Sequence, residues 1–301
     1  MLHVSRPLFH YPPSTIHPMT DPNLKDLLSI ARVAGWQAAE ILLKTQNLEL
    51  NIQNSEDGPV TAADTAANEA ILTTLQTQLG TQEFGYLTEE TYKLEPTTDR
   101  LQHSWVWVID PLDGTQEFIK QTGEYAVHIA LVHDHRPVLA VVVCPAVGKL
   151  YFATLNGGTF LEQRDGTIAP LHVSQRHQLE EMIVVTSRSH RNQRFNQLME
   201  RFPCQTQKSI GSLGGKIAAV ADQRADVYVA LSGTSAAKDW DLAAPELILT
   251  EAGGQFTHFD GSPLLYNQED VTQWGGLLAS NGQNHDFLCA EATRILNELR
   301  D

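Results

Sequence analysis

Apolar and polar positions along the chain alternate with two periods, helical near the start and strand-like through the middle. Leu24, Leu27, Leu28, Val33, Trp36, Ile41 and Leu42 recur near helical spacing, and Asp21-Pro22 offers an N-cap and a first-turn proline for that helix. A second helix is predicted over residues 62–79, opened by Thr61 or a neighbour, with Ala66, Ala70, Ile71, Leu75 and Leu79 facing the core. Short apolar runs at 84–87, 105–109, 126–133, 137–144, 150–154 and 159–161 read as strands. Turns at His135-Arg136-Pro137 and Asn156-Gly157-Gly158 predict that the later ones pair as an antiparallel meander. From Met182 onward strands at 183–186 and 226–230 alternate with helices near 195–202, 213–222 and 240–252, and a last helix closes the chain. The pattern gives an α+β fold in two sheet-and-helix lobes, residues 21–170 and 171–301, with a cleft between them. There is no internal repeat and no low-complexity linker.

Several predicted strands end abruptly in acid. The run at 104–109 meets Asp110 and then Pro111, which cannot donate to a ladder, so the strand should stop near Asp110. Asp110 and Asp113 offer hard oxygens suited to Mg²⁺, and Gly114 lets a backbone N–H approach a ligand closely. The strand at 84–87 likewise runs into Glu89-Glu90. Asp241 opens the helix that Gly253-Gly254 ends. An aspartate there serves as an N-cap, as a cation ligand, or as both.

Asp110-Pro111-Leu112-Asp113-Gly114-Thr115 and Trp240-Asp241-Leu242-Ala243-Ala244, followed by Glu251-Ala252-Gly253-Gly254, resemble the two signatures of the inositol monophosphatase superfamily. Gly58-Pro59-Val60-Thr61-Ala62-Ala63-Asp64 and Glu89-Glu90 resemble further family elements, with Thr88 a departure where many relatives carry a small residue. The resemblance implies a layered α-β-α-β-α sandwich of the inositol monophosphatase and fructose-1,6-bisphosphatase type, and a lithium-sensitive phosphatase using two or three Mg²⁺. It implies that Glu89, Asp110 and the Leu112 carbonyl hold one ion, Asp110, Asp113 and Asp241 a second, and that a third binds weakly near Glu89. Thr115 with Asp64 would orient and deprotonate the attacking water. The Gly114 and Thr115 amides would hold phosphate oxygens, and Asp241 counts among the substrate contacts. Bare acid would repel a phosphate dianion; bound metal inverts the sign of the site.

Substrate choice falls to the second half. Ser187-Arg188-Ser189-His190 follows a strand, and Gly211-Ser212-Leu213-Gly214-Gly215-Lys216 opens a helix whose amides favour anions. Singly, His190 reads as a surface histidine and Lys216 as a solvated first-turn lysine. Together they resemble the 3′(2′),5′-bisphosphate nucleotidases, a group that includes bacterial enzymes acting on 3′-phosphoadenosine 5′-phosphate in sulfur assimilation. That resemblance implies that Ser187, His190, Ser212 and Lys216 line a nucleotide pocket. Lys238, just before Trp240 and close in sequence to Asp241, is expected to add positive potential at the cleft rim. An inositol or sugar phosphatase with the same metals is the alternative. A non-enzymatic metal- or phosphate-binding protein is another, although it would need neither Thr115 nor Asp64.

Composition narrows the partners. The formal charge of −15 opposes nucleic acid and anionic membrane, while small phosphorylated ligands remain open through metal. No apolar run approaches the roughly 18 residues of a membrane span. Cys144, Cys204 and Cys289 are odd in number and widely spaced, as expected of reduced thiols in the cytoplasm. Residues 1–20, with Pro7, Pro12, Pro13, Pro18 and three histidines but no sustained period, read as a disordered tail without a signal-peptide core, and either Met1 or Met19 serves as a start. Superfamily members are often dimers, but no stretch of this chain reads as an interface.

Overall fold

The computed structural model describes residues 22–46, 53–55, 58–80, 84–92, 97–188 and 191–299. The N-terminal tail, Asp21 and His190 lie outside the described residues. Helix α1 (Leu24–Thr45) is capped by Asn23 rather than Asp21, the Asn23 side chain accepting from Lys25 N at 3.1 Å. A short hairpin, β1 (Gln53–Ser55) and β2 (Gly58–Val60), leads to α2 (Ala62–Leu79), and Thr61 is its N-cap. The buried stripe of α2 runs through Ala63, Ala67, Ile71, Leu75 and Leu79, so Ala66 and Ala70 are only partly covered. That rotation turns Asp64 inward.

Helices α1 and α2 cover one face of a seven-stranded sheet. Its strands are β3 (Gly85–Thr88), β4 (Trp105–Asp113), β5 (Ala126–His133), β6 (Arg136–Cys144), β7 (Lys149–Thr154), β8 (Gly158–Gln163) and β9 (Ile168–Leu171), in that spatial order. Short helices α3 (Thr97–Arg100) and α4 (Thr115–Ile119) flank β4 in sequence. From β4 to β9 every neighbour is antiparallel, the meander read from the turns; only β3 runs parallel to β4. The strand alternation sorts the core. Trp105, Trp107 and Ile109 pack with α1 and α2, whereas Val106 and Val108 join the core on the opposite face.

That second core holds the remaining layers together. After β10 (Ile183–Ser187), α5 (Gln193–Arg201), β11 (Thr206–Ile210), α6 (Leu213–Ala221) and β12 (Val227–Leu231), the chain forms β13 (Ala237–Lys238), α7 (Asp239–Glu251), β14 (Gln255–His258), β15 (Thr272–Gln273), β16 (Gly276–Ser280) and α8 (His285–Glu298). The five-stranded sheet has the order β11-β10-β12-β16-β14. Ile217 of α6 and Leu242, Leu247 and Ile248 of α7 lie in one core with Val106 of the first sheet and Tyr228 of the second. Phe195 of α5 and Leu288 and Ile295 of α8 pack on the outer face of the second sheet with Val184, Val227 and Leu278. The layering is therefore helix, sheet, helix, sheet, helix, the sandwich the resemblance implied. Cys144, Cys204 and Cys289 are buried and unpaired, and among the described residues no helix is long and apolar enough to cross a membrane.

Two local readings are corrected. Strand β4 does not end at Asp110 but resumes pairing at Asp113 with Ala126, after a register shift that absorbs Pro111 and Leu112. A proline without a donor is tolerated in such a bulge. Asp241 is not the N-cap of α7; Lys238 holds that position, and Asp241 is the third residue of the helix.

Leu42 is fully buried beneath the first sheet. Leu42→Ala is expected to lower unfolding free energy by about 2–5 kcal/mol, read as a shifted urea midpoint with unchanged slope.

Candidate active site

The acids meet because parallel strands deliver their C-terminal ends to one edge. Thr88 of β3 lies opposite Ile109 of β4, and Glu89 N donates to Ile109 O at 3.2 Å, which seats Glu89 beside Asp110. Tyr92, at the end of the same turn, packs its ring on Trp240 of α7 with centroids 5.3 Å apart. This contact brings the Glu89 turn to the start of the helix that carries Asp241. The C-terminal edge of parallel strands is where open α/β sheets place their ligands.

Asp110 is 1 % exposed, and its Oδ1 accepts Leu112 N at 2.9 Å across the bulge. Burial first, and then Glu89, Asp113 and Asp241, push its carboxyl well above the usual range. Glu89 is raised in the same way by burial and by Asp241, Glu90 and Asp64, with its proximity to Asp110 a partial offset. Two carboxyls in such contact cannot both be ionised without added positive charge. Asp241 is pushed up to about 6, mainly by burial, even though its Oδ2 accepts Lys238 N at 2.7 Å. Among the described residues no three acidic, histidine or cysteine side chains already form a closed cation site.

Asp113 is the exception. Burial would raise it, but His128, Lys216 and the Gly214 N–H together hold it below the usual range. Its Oδ2 accepts Gly214 N at 2.7 Å and lies 3.2 Å from His128 Nε2. His128 is fully buried, pairs with Asp110 across β4 and β5, and turns Nδ1 toward Trp240 O at 3.3 Å. Gly214 has to be glycine, since a Cβ there would lie 2.3 Å from His128 Nε2. The sequence reading missed His128. The signal was a histidine inside an otherwise apolar strand, two residues from its start.

Asp64 and Thr115 form the pair expected of them. Thr115 Oγ1 lies 3.1 Å from Asp64 Oδ1 and 3.3 Å from Leu112 O. Asp64 Oδ2 accepts both Thr61 N at 2.8 Å and Thr61 Oγ1 at 2.6 Å, so the same carboxylate caps α2 and faces Thr115. Burial raises its carboxyl despite these donors. Gly114 turns into α4 with φ of 91° and leaves no slack for a side chain, a Cβ there standing 3.2 Å from Glu124 O.

The expected nucleotide-side residues divide. Ser187 ends β10, partly exposed. Ser212 is 1 % exposed, its Oγ committed to Gly215 N at 3.0 Å as the cap of α6. Lys216, expected to reach a remote phosphate, is instead 3 % exposed, with Nζ donating to Gly211 O at 3.2 Å. Burial lowers its ammonium to about 8, against the pull of Asp113 and Asp241. Lys238 Nζ donates to Thr272 Oγ1 at 3.1 Å, near enough for its charge to act on Asp241. Cavities of about 390 Å³, beside Arg191 and Met199, and about 210 Å³, beside Tyr86, Tyr92 and Arg100, are not lined by Glu89, Asp110, Asp113 or Asp241.

Residues 23–297 match the model of the inositol monophosphatase family. The chain is similar to the 3′(2′),5′-bisphosphate nucleotidase CysQ of Aggregatibacter actinomycetemcomitans, 32% identical over 247 residues that cover 82% of this chain and 88% of that protein. Its fold is similar to that of the inositol monophosphatase from Anabaena, with 27% identity and a TM-score of 0.71 over 91% of this chain and 97% of that one. CysQ from Bacteroides thetaiotaomicron, a bacterial member of the inositol monophosphatase family, gives 27% identity and a TM-score of 0.70 over 85% and 97%.

Asp241 carries its own pH signature. Its carboxyl lies at about 6 in the folded protein against 3.8 as its ordinary value. The folded state thus holds the extra proton between those values, so stability falls as pH rises through that window and the penalty is complete above it. In divalent-free buffer, Asp241→Asn should melt higher than wild type at about pH 7.5 and match it at about pH 4. The amide still offers an oxygen to Lys238 N–H.

Proposed function

The chain belongs to the inositol monophosphatase family, and from that premise we propose a Mg²⁺-dependent phosphomonoesterase that removes the 3′-phosphate of 3′-phosphoadenosine 5′-phosphate. One observation carries the reading: Glu89, Asp110, Asp113 and Asp241 lie in one another's field, with the Asp64–Thr115 pair beside them. Relatives that bear the name 3′(2′),5′-bisphosphate nucleotidase support the choice of substrate.

The donor set fits Mg²⁺. Its atoms are carboxylate oxygens and one carbonyl, the hard ligands that ion takes, and the raised carboxyls of Glu89, Asp110 and Asp241 mark a deficit of positive charge. Glu89, Asp110 and the Leu112 carbonyl would hold one ion, and Asp110, Asp113 and Asp241 a second. Bound there, the metal supplies the charge that attracts the phosphate dianion and stabilises the attacking and leaving oxygens. Asp113 is kept ionised for that purpose by His128, Lys216 and Gly214 N–H.

The remaining steps belong to side chains and backbone. Thr115 orients a water whose proton passes to Asp64, a carboxylate made more basic by burial. The water oxygen attacks phosphorus as the bond to the ribose 3′ oxygen breaks, and that oxygen departs by taking a proton from a second, solvent water, whose hydroxide is released to bulk. The Gly114 and Thr115 amides hold phosphate oxygens. Lys216 acts through Asp113 rather than on a remote phosphate.

Phosphate release measured side by side on 3′-phosphoadenosine 5′-phosphate, inositol 1-phosphate and fructose 1,6-bisphosphate, with and without Mg²⁺ and Li⁺, tests this reading. The adenosine bisphosphate should show the highest kcat/KM, with dependence on Mg²⁺ and inhibition by Li⁺. Asp110→Asn should cost on the order of a thousandfold, since it removes a carboxylate charge that would serve both ions. A higher kcat/KM on inositol 1-phosphate would replace the nucleotide reading with that of an inositol monophosphatase. Lys216→Met should lower kcat/KM by about tenfold or more on a bisphosphate and a monophosphate alike; a loss confined to the bisphosphate would restore Lys216 to the substrate pocket.

A further inference from the structure

Helix α4, which presents Thr115, is joined to the second sheet by a charged contact that the chemistry above leaves unused. Arg188 follows β10 directly and reaches the loop after α4. Its Nη2 donates to Glu124 at 2.9 Å, and its Nη1 lies 3.8 Å from Glu117 Oε2. Glu117 sits on α4 two residues beyond Thr115 and is 3 % exposed. Its Oε2 accepts the Thr122 hydroxyl at 3.0 Å, while Oε1 is buried without a hydrogen bond. A carboxylate so placed relies on a nearby cation, and Arg188 brings one to it.

The joint is also packed. Glu124 Oε2 accepts Gly211 N at 2.7 Å, so the turn before α6 is held by the same carboxylate that holds Arg188. A Cβ on Gly211 would stand 2.3 Å from Glu117 Cγ and 3.1 Å from Glu124 O. The Thr115 hydroxyl itself lies 3.1 Å from Asp64 Oδ1 and 3.3 Å from Leu112 O, both outside α4. The direction of that hydroxyl therefore depends on how α4 is seated.

We propose that Arg188 is a positioning residue for Thr115: by clamping Glu117 and Glu124 to the end of β10 it fixes the seat of α4, and with it the hydroxyl that faces Asp64. Arg188 does not touch the substrate in this account. The inference rests on the phosphatase reading, because it gives Thr115 its task. A displacement of about 1 Å at such a group costs roughly a hundredfold in rate.

The test is steady-state phosphate release from 3′-phosphoadenosine 5′-phosphate by the full chain with Mg²⁺, comparing Arg188→Ala, Arg188→Lys, Thr115→Ala and the double variant Arg188→Ala/Thr115→Ala. Arg188→Ala should lower kcat by about tenfold or more with KM within about twofold, and Arg188→Lys should recover part of the loss. In the Thr115→Ala background the arginine change should cost nothing further, since its effect passes through the missing hydroxyl. A raised KM with unchanged kcat, a full additional loss in the Thr115→Ala background, or a lowered melting temperature with both constants intact would each overturn the proposal. If Arg188→Ala does not fold, Glu124→Gln weakens the same clamp, keeps an acceptor for Gly211 N–H and faces the same comparison. Wild-type inactivity on the adenosine bisphosphate alone would fault the substrate assignment, and the variants would then be compared on inositol 1-phosphate.

Discussion

Repulsion among carboxylates forced to one edge of a sheet is the constraint around which this protein is built. Glu89 and Asp110 arrive side by side because β3 and β4 are parallel and in register, and Asp241 is brought to them by the tilted packing of Tyr92 on Trp240. Water is largely absent at Asp110, so the cost of its charge has to be met by a proton or a cation. The neighbouring protein charges do not meet it there. His128 and Lys216 are directed at Asp113, which alone among these acids is held below its ordinary range. The site is thus divided into one settled carboxylate and several that await positive charge.

The helices contribute through the same economy of side chains. Asp64 and Asp241 each stand third in a helix and each accepts the backbone N–H of the residue three before it, Thr61 and Lys238 respectively. The acid that starts the helix is also the acid presented to the site, so the helix start fixes its position without a separate support. Gly214 N–H, in the first turn of α6, does the corresponding work for Asp113 from outside. Three helix beginnings and two strand ends therefore converge, and the cores on both faces of the first sheet hold them in place.

Much of this was legible before the structure. Periodicity found α1, α2 and the meander, and the acidic ends of predicted strands located Asp110, Asp113 and Glu89. Edge strand β11, Thr-Gln-Lys-Ser-Ile, escaped notice because it is polar and largely exposed, with little apolar alternation to mark it. Lys216 was misplaced for a different reason. Sequence reveals a lysine in the first turn of a helix, but the neighbouring small residues Gly211, Gly214 and Gly215 let that turn sink against β5, and only three-dimensional packing shows the ammonium beneath Asp113. His128 was hidden by the converse effect: a polar residue inside an apolar strand has no partner until the register opposite Asp110 is known. Pro111 marked the right place for a break, though the chain made it a bulge and continued.

The direct test of the central claim is anomalous diffraction from crystals soaked in Mn²⁺ as a substitute for Mg²⁺, a measurement that reports the ion and its ligands without reference to turnover. The account predicts strong peaks shared among Glu89, Asp110, Asp113 and Asp241, with Asp110 common to more than one ion. Crystals that show full occupancy elsewhere, with no peak against these four carboxylates, would contradict it.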